Sequence, residues 1–262
     1  MNSQVYTDCI EKTFKKDKLC VRQYATRGEM GDTAAKDAIK AVVRVLREKG
    51  TATILFAAAP SQNEFLTALS KSKEIDWSKV TALQLDEYMK FDPTLPQGFA
   101  HFLRDRIFSK INIGNCLMFR CDCEDIEEER LRYTRVLKDH PPDIAFIGIG
   151  ENAHIAFNDP CQCNFNDTEL VRHVEVSFES RAQQVNDGCF KTLEQVPATA
   201  LTVTVPVIMS AKKILCMVPA SAKAKAVKET LTTEIGEHCP ASILRTHPDT
   251  TLYLDGDSSA LL

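Results

Sequence analysis

The sequence predicts an α/β fold built on a mostly parallel, doubly wound sheet with helices on both faces. Two observations lead to this prediction. Short, nearly continuous apolar runs recur along the 262 residues, and amphipathic helical patterns separate them. Strands that are apolar along their whole length are buried on both faces, which requires helices on each side of a parallel sheet. The right-handed rule for the connections then gives a doubly wound arrangement.

The individual elements follow from hydrophobic period and from start and stop signals. Apolar residues at 39, 42, 43 and 46 keep helical spacing, so 32–49 is predicted as an amphipathic helix that stops at Gly50. The apolar run at 52–58 is predicted as a buried strand. Further helices are predicted at 61–71, 98–109, 124–138 and 221–231, and further strands at 80–85, 116–120, 144–149, 174–178, 213–218 and 251–254. The polar segment 161–169 is predicted as a surface loop in the position of a lid, and 1–262 as one domain.

The composition excludes several classes of protein. Lys and Arg number 32 against 36 Asp and Glu, a formal net charge of −4 that offers no positive field for nucleic acid. No run approaches the roughly 18 apolar residues of a membrane helix, and the segment 1–18 has no apolar signal-peptide core. We therefore expect a cytoplasmic protein without a nucleic-acid or membrane partner.

The ten cysteines, without a secretory signal, are expected to be free thiols in a reducing compartment. Two Cys-x-Cys pairs begin at Cys121 and Cys161, but structural zinc sites use wider ligand spacing, so a metal site is the less favoured alternative. Cys116 and Cys216 lie in apolar runs and are predicted as small core residues.

Ligands of doubly wound sheets bind beyond the carboxyl ends of the strands, so the residues that follow each strand are the candidates for chemistry. Ser61 follows the strand at 52–58 and opens a helix, whose free amide hydrogens favour an anion; an ordinary helix cap is the alternative. Asp86 follows the strand at 80–85, where apolar surroundings suit a general base; a turn or cap residue is the alternative.

Two further strand ends carry a histidine and a lysine. His154 follows a Gly-x-Gly turn and is flanked by Asn152 and Asp159, as in an oriented acid–base imidazole; a structural histidine is the alternative. Lys223 lies in the first turn of a helix, where its charge opposes the helix dipole unless an anion offsets it or the side chain points to water. Arg181 is a second candidate cation for a phosphate. Together these residues predict a site for an anionic small molecule with acid–base groups.

Several ordered motifs between about residues 32 and 262 resemble the glucosamine-6-phosphate deaminase/isomerase family, which is related to 6-phosphogluconolactonase. The most specific is DIAFIGIGENAHIAFNDP at 143–160. The others are LDEY at 85–88, ALTV at 200–203, SAKA at 221–224 and LRTHP at 244–248. The resemblance implies a modified, Rossmann-like doubly wound domain, in agreement with the hydrophobic pattern.

The resemblance also implies an activity. Members of the family convert an amino-sugar 6-phosphate and water to a ketose 6-phosphate and ammonia without a redox cofactor. By resemblance, Asp86 moves a proton from C2 to C1 of the open-chain sugar, and His154 moves a proton at the ring oxygen during ring opening, held by Asn152 and Asp159. The implied phosphate-binding residues are Ser61, Gln62, Asn63, Arg181 and Lys223.

The sequence departs from the family pattern at four places. The usual Thr-Gly-Gly/Ser-Thr phosphate loop is PSQN here, at 60–63, and Asn152, Ala153 and Asp159 replace an Asp, a Gly and a Glu, although some members also carry an amide in place of the Asp. Because the amide of Asn152 adds no charge beside the imidazole, it favours a neutral His154. We expect a tighter turn at Ala153 and, because Asp is one methylene shorter, an indirect contact between Asp159 and His154. The segment 160–181 is shorter than in the allosteric bacterial enzymes, so no activation by an acetylated amino-sugar phosphate is expected.

Two other functions stay open. A 6-phosphogluconolactonase-like hydrolase would share the Gly-x-Gly and His arrangement, although those enzymes typically follow the His with Thr-x-Ser rather than IAFN at 155–158. A non-catalytic sugar-phosphate sensor would account for the altered loop and for Asp159. Glucosamine and galactosamine 6-phosphate are not distinguished by any motif, and a homo-oligomer stays an open alternative because family members range from monomers to hexamers.

Overall fold

A computed structural model describes residues 10–262, so Cys9 and the first half of the segment 1–18 lie outside the described part. The strands are β1 (Ile10–Lys16), β2 (Leu19–Tyr24), β3 (Ala52–Phe56), β4 (Val80–Gln84), β5 (Asp86–Tyr88), β6 (Asn115–Leu117), β7 (Ile144–Ile147), β8 (Val171–Glu175), β9 (Thr199–Val203), β10 (Lys213–Val218) and β11 (Thr250–Leu254). The α-helices are α1 (Arg27–Lys49), α2 (Asn63–Ser70), α3 (Phe99–Arg106), α4 (Ile126–Asp139), α5 (Phe178–Asn186), α6 (Val205–Met209) and α7 (Ala224–Thr232).

Eight strands form the main sheet in the order β1-β2-β11-β10-β7-β3-β4-β6. All neighbours pair in parallel except β1 and β2, which form an antiparallel hairpin. The strands β3, β4, β7 and β11 are buried at every position, as expected for a sheet covered on both faces. This architecture confirms the predicted α/β fold with a mostly parallel sheet.

The sequence analysis missed the hairpin β1–β2. The chain there, IEKTFKK, carries four charged residues in seven and has little apolar periodicity. Among residues 10–262 it forms one edge of the sheet, where the exposed Lys12 and Lys15 discourage pairing with other chains. The local pattern does not indicate a buried strand here. The hairpin belongs to the sheet because β2 pairs with β11, a strand distant in the sequence.

A second, antiparallel sheet of three strands, in the order β5-β9-β8, was also missed. Leu85 connects the two sheets: its N–H donates to the carbonyl of Phe56 in the main sheet, and its carbonyl accepts from the N–H of Val203 in the second. The strand predicted at 174–178 begins and ends three residues earlier. Its predicted last residue, Phe178, instead begins α5.

Several local predictions were confirmed or corrected. The first long helix stops at Gly50, as predicted, but it begins at Arg27 because Thr26 and Glu29 form a capping box. Cys216 is buried in the core, whereas Cys116 is exposed because β6 is the other edge of the main sheet. The segment 161–169 is a loop. Within the described residues, no helix combines the length and apolar character needed to cross a membrane.

Candidate active site

A cavity of about 110 Å³ lies at the carboxyl ends of β3, β4, β7 and β10, where the sequence predicted it. It is bordered by the loops that follow these four strands and by one face of α5. Four of the predicted site residues line it, namely Ser61, Asp86, His154 and Lys223. Each comes from a different strand end, so the sheet brings together residues up to 162 positions apart in the sequence (223 − 61).

Gln62 fixes the loop after β3 instead of facing the cavity. Its side chain is fully buried, and Nε2 donates to Oγ of Ser61 at 3.0 Å and to the carbonyls of Ile147 and Met217 at 3.4 and 3.3 Å. These carbonyls belong to β7 and β10. Gln62 therefore ties the loop to two strands and holds Ser61 at the cavity.

The structure does not bring two of the predicted phosphate ligands to this cavity. Asn63 begins α2 and borders a neighbouring cavity. Arg181 lies on α5 and donates from Nη2 to the carbonyl of Leu193 at 2.6 Å. Successive residues of a helix point about 100° apart, so Arg181 turns away because Ser180 before it faces His154.

Asp86 is the first residue of β5 and lies beside the junction of the two sheets. It is buried, with 8% of its surface exposed. Burial raises the pKa of its carboxyl to about 8, with a further rise from the charge of Glu87, while the backbone N–H of Phe157 lowers it. A carboxylate in such surroundings is a strong base.

Glu87 is fully buried next to Asp86 and holds the start of α3. Its carboxylate accepts from the backbone N–H groups of Phe99 and Ala100 at 3.0 and 2.7 Å, and from Nε2 of Gln84 at 2.9 Å. Burial raises the pKa of Glu87, and these donors oppose the rise. Each of these partners of the Glu87 carboxyl group is an N–H donor. The ionised carboxylate, which only accepts hydrogen bonds, therefore matches its surroundings.

The loop after β7 is shaped to present the imidazole of His154. A Cβ placed on Gly150 would lie 2.1 Å from Cε1 of His154, so only glycine leaves room for the ring. Ala153 and Ala156 have φ of 64° and 51°, the left-handed region that costs a residue with a Cβ free energy. The expected tight turn at Ala153 is therefore a left-handed one.

The orientation of His154 is set by Asn152. Nδ2 of Asn152 donates to Oδ1 of Asp159 at 2.9 Å, so the carbonyl oxygen of Asn152 faces Nδ1 of His154 at 2.7 Å. A carbonyl oxygen only accepts, which requires a hydrogen on Nδ1. Nε2 is then the ring nitrogen left for a ligand.

Asp159 lies behind this pair and is fully buried. Its Oδ1 is 3.4 Å from Nδ1 of His154, so the two side chains are in direct contact, whereas the sequence analysis expected an indirect one. Burial disfavours the charge, but hydrogen bonds and the charge of His154, with Asn152 and Ser180, hold the pKa of Asp159 well below its usual range. Asp159 is therefore an ionised carboxylate directly behind the imidazole.

Two serines missed by the sequence analysis complete this network. The hydroxyls of Ser177 and Ser180 both donate to Oδ1 of Asp159 at 2.8 Å, and Ser177 also caps α5. A serine directly before a helical pattern is the signal of such a cap, and Ser177 fits it. The strand predicted at 174–178 includes Ser177, so this signal was not recognised.

Lys223 follows β10 in a short turn that precedes α7. It is 5% exposed, and its Nζ is buried with no hydrogen-bond partner among residues 10–262. Burial lowers its pKa, although the charges of Asp187 and Glu151 oppose this effect. A buried ammonium group without a partner is costly, so an anion in the cavity would stabilise it.

Further cavity residues come from elements that the sequence analysis did not connect with the site. Arg27, the first residue of α1, lines the cavity while bound to both oxygens of Glu64 at 3.1 and 3.0 Å. Gln183, Gln184 and Asp187 line it from α5 and its end. None of these residues directly follows a predicted strand, so the strand-end rule did not identify them.

This arrangement supports acid–base chemistry on an anionic small molecule. A buried carboxyl group, an imidazole with one free nitrogen and an ammonium group face the same space, at Asp86, His154 and Lys223. The described residues contain no group of three or more His, Cys, Asp or Glu side chains arranged to hold a metal ion. The groups present suit proton transfer beside an anion-binding site.

Two glucosamine-6-phosphate deaminases are similar to this chain over most of its length. A glucosamine-6-phosphate deaminase of Listeria monocytogenes is 34% identical over 213 residues, covering 81% of this chain and 89% of that protein. A glucosamine-6-phosphate deaminase of Streptococcus pneumoniae is 32% identical over 226 residues, covering 85% and 94%. Both relatives are matched over most of their length.

Solved structures show the same fold. A monomeric glucosamine-6-phosphate deaminase superposes with a TM-score of 0.83 at 27% identity, covering 92% of this chain and 99% of that one. A 6-phosphogluconolactonase from Thermotoga maritima superposes with a TM-score of 0.75 at 17% identity, which supports the fold alone. Residues 25–253 match the model of the family described as glucosamine-6-phosphate isomerases/6-phosphogluconolactonase. The chain therefore belongs to this family.

Proposed function

We propose that this chain is an amino-sugar-phosphate deaminase/isomerase, which converts glucosamine 6-phosphate and water to a ketose 6-phosphate and ammonia. One observation carries the proposal: a buried carboxyl group, an oriented imidazole and a buried ammonium group line a single cavity, at Asp86, His154 and Lys223, and the ammonium group has no hydrogen-bond partner among the described residues. The deaminases of Listeria and Streptococcus, which match most of the chain, support the same reaction.

The phosphate of the substrate would lie between Lys223 and the loop that ends at Ser61. The phosphate would be an anionic partner for the buried ammonium group of Lys223. The hydroxyl of Ser61 would donate a hydrogen bond to the same phosphate. Gln62 contributes by holding the loop, without contact with the phosphate. In this assignment, the loop after β3, which Gln62 fixes to β7 and β10, takes the place of the Gly-containing phosphate loop of the family.

Ring opening would use Nε2 of His154, the nitrogen left free by the contact with Asn152. The imidazole takes the proton of the anomeric hydroxyl and delivers a proton to the ring oxygen, which opens the hemiacetal to the aldehyde. While it carries both protons, the charge of Asp159 stabilises it. The His154 side chain returns to its starting state, so this step consumes no reagent.

The aldose–ketose shift would use Asp86. Its carboxylate removes the proton from C2 while the ammonium group of the substrate passes a proton to the aldehyde oxygen, which leaves a neutral enolamine between C1 and C2. Asp86 then returns its proton to C1, which gives an iminium ion at C2. The iminium ion reacts with water to give the ketone, ammonia and a proton. Every step moves protons or water, so the reaction balances without a redox cofactor.

The test is ammonia release from glucosamine 6-phosphate. We expect Asp86→Asn to lower kcat by about a hundred- to ten-thousandfold, because the amide is not a base. Asp139→Asn, at the exposed end of α4, is the matched control and should retain full activity. Equal activity of the wild type and Asp86→Asn would contradict the proposal.

Two further substrates define the reaction. Galactosamine 6-phosphate, the C4 epimer, tests which amino sugar the site accepts, since either one is an amino-sugar phosphate. Hydrolysis of 6-phosphogluconolactone without ammonia release from either amino sugar would replace the proposed deaminase with a lactonase. Binding of amino-sugar phosphates without turnover would indicate a sensor.

A further inference from the structure

A phosphate in the candidate active site requires more positive charge than Lys223 alone supplies. A phosphate monoester carries about 1.5–2 negative charges at pH 7. Burial lowers the pKa of Lys223 and the charges of Asp187 and Glu151 oppose this effect, so two carboxylates already lie near its ammonium group. Arg181, which the sequence predicted as the second cation, does not line the cavity. Another cation must therefore complete the site.

Arg27 supplies the only guanidinium among the described residues that line the cavity. It is the first residue of α1. Of the five N–H groups of a guanidinium, Nε donates to Glu64 at 3.1 Å, and Nη2 donates to Glu64 at 3.0 Å and to the carbonyl of Pro60 at 3.1 Å. No hydrogen bond within residues 10–262 uses Nη1, so its two hydrogens are left for a ligand.

Close packing between two helices holds the carboxylate that orients Arg27. A Cβ placed on Gly31 of α1 would lie 2.6 Å from Cβ of Glu64 on α2, so only glycine at position 31 allows this approach. Glu64 therefore lies beside Arg27, and its two carboxylate oxygens accept from one edge of the guanidinium. The bond to Pro60 fastens the same guanidinium to the loop that presents Ser61. These contacts fix Arg27 beside the loop assigned to the phosphate.

We propose that Arg27 is the second phosphate-binding residue of this site and donates from Nη1, in the role that the sequence analysis gave to Arg181. The inference rests on the proposed function, because the amino-sugar 6-phosphate supplies the phosphate. The side chain of Arg27 is 35% exposed, and a ligand that bonds to Nη1 leaves the bonds to Glu64 intact. A guanidinium forms charge-assisted hydrogen bonds with phosphate oxygens. An ion pair that only joins α1 to α2 is the alternative.

Calorimetric titration of glucosamine 6-phosphate and of inorganic phosphate into the Asp86→Asn chain measures the phosphate contact without turnover. Arg27→Gln alone would leave the charge of Glu64 close to the phosphate. The decisive variant therefore combines Arg27→Gln with Glu64→Gln, which keeps the net charge of the pair. We expect it to bind both probes about ten- to fiftyfold less tightly, because the phosphate loses charge-assisted hydrogen bonds.

The matched control combines Arg44→Gln with Glu48→Gln. This Arg–Glu pair lies on the same helix, at an exposed position outside the cavity, so its loss should leave the affinity for both probes unchanged. Melting temperatures of the two double variants report any loss of fold. Arg27→Lys is a second variant that keeps a cation beside Glu64 but has no planar fork, so it should also bind both probes more weakly.

The inference is overturned if the double variant of Arg27 and Glu64 binds both probes as tightly as its parent, or if the parent binds neither probe. Failure of the proposed function has a different signature. Binding that depends on Arg27, without ammonia release by the wild type, would contradict the deaminase reaction and retain Arg27 as a phosphate ligand. Ammonia release with an unchanged kcat/KM in the double variant would retain the reaction and overturn the role of Arg27.

Discussion

At the scale of single residues, the proposed chemistry depends on two adjacent buried carboxyl groups with different surroundings. Glu87 receives several N–H donors, while Asp86 faces the cavity with little to stabilise its charge. One carboxyl is thereby a structural anion and the other a base. Sequence position indicated Asp86 as a strand-end residue, but only the packing of α3 onto Glu87 separates the two roles.

The pH dependence of turnover follows from the pKa of Asp86. The base acts deprotonated, so kcat/KM should rise with pH and reach half its maximum near pH 8. In Glu87→Gln the neighbouring charge is lost, which lowers the pKa of Asp86 and moves this midpoint to lower pH. A pH–rate profile of both proteins measures the shift, and an identical midpoint would show that Glu87 does not tune the base.

Lys223→Met should have opposite effects on stability and on binding. The free energy of unfolding rises by about 1–3 kcal/mol because a buried ammonium without a partner is replaced by an apolar side chain. KM for the sugar phosphate rises about ten- to a hundredfold because the phosphate loses a charge-assisted hydrogen bond. Urea unfolding and steady-state kinetics measure the two effects. A less stable variant would indicate that Lys223 has a structural role.

At the scale of elements, the loop after β7 stores backbone strain beside the imidazole. The ring of His154 packs directly against Gly150, and Ala153 has a left-handed backbone conformation. Together these two features hold His154 at the cavity. The Gly-x-Gly and the histidine in the sequence predicted this loop. The sequence analysis missed the start of α5 at Ser177, because that cap is recognised only when the preceding strand is placed at Val171–Glu175.

Ala153→Gly tests this strain directly. Glycine adopts a φ of 64° without a Cβ clash, but the change also removes a fully buried methyl group. Ala145→Gly, within β7, removes an equally buried methyl group without relief of strain and is the matched control. We expect Ala153→Gly to be more stable than Ala145→Gly by about 1 kcal/mol, measured by thermal or urea unfolding. Equal destabilisation by both changes would show that the turn is not strained.

At the scale of the whole molecule, the active-site loops come from the main sheet, and the second sheet adds the strand that carries Asp86. The connection through Leu85 joins the two sheets, so the position of the base depends on both. A ligand that contacts loops from four strands should therefore stabilise the entire fold.

Binding of glucosamine 6-phosphate to Asp86→Asn measures this coupling without turnover. At a hundredfold excess over Kd, the ligand should raise the free energy of unfolding by about 2.7 kcal/mol, a rise in Tm of about 5–10 °C. The double variant with Lys223→Met should show a much smaller rise at the same concentration. An equal rise in both variants would place the phosphate elsewhere.

The sequence alone determined the mostly parallel sheet, the cavity at its carboxyl edge and four of its lining residues. Apolar strands that alternate with helices bury both of their faces when they form a parallel sheet between helices. The carboxyl ends of parallel strands then lie at one edge of the sheet. Tertiary structure alone decided the edge hairpin, the second sheet, the serines behind Asp159 and the outward turn of Arg181. Each of these depends on pairing or side-chain direction between distant segments, which local hydrophobic period does not encode.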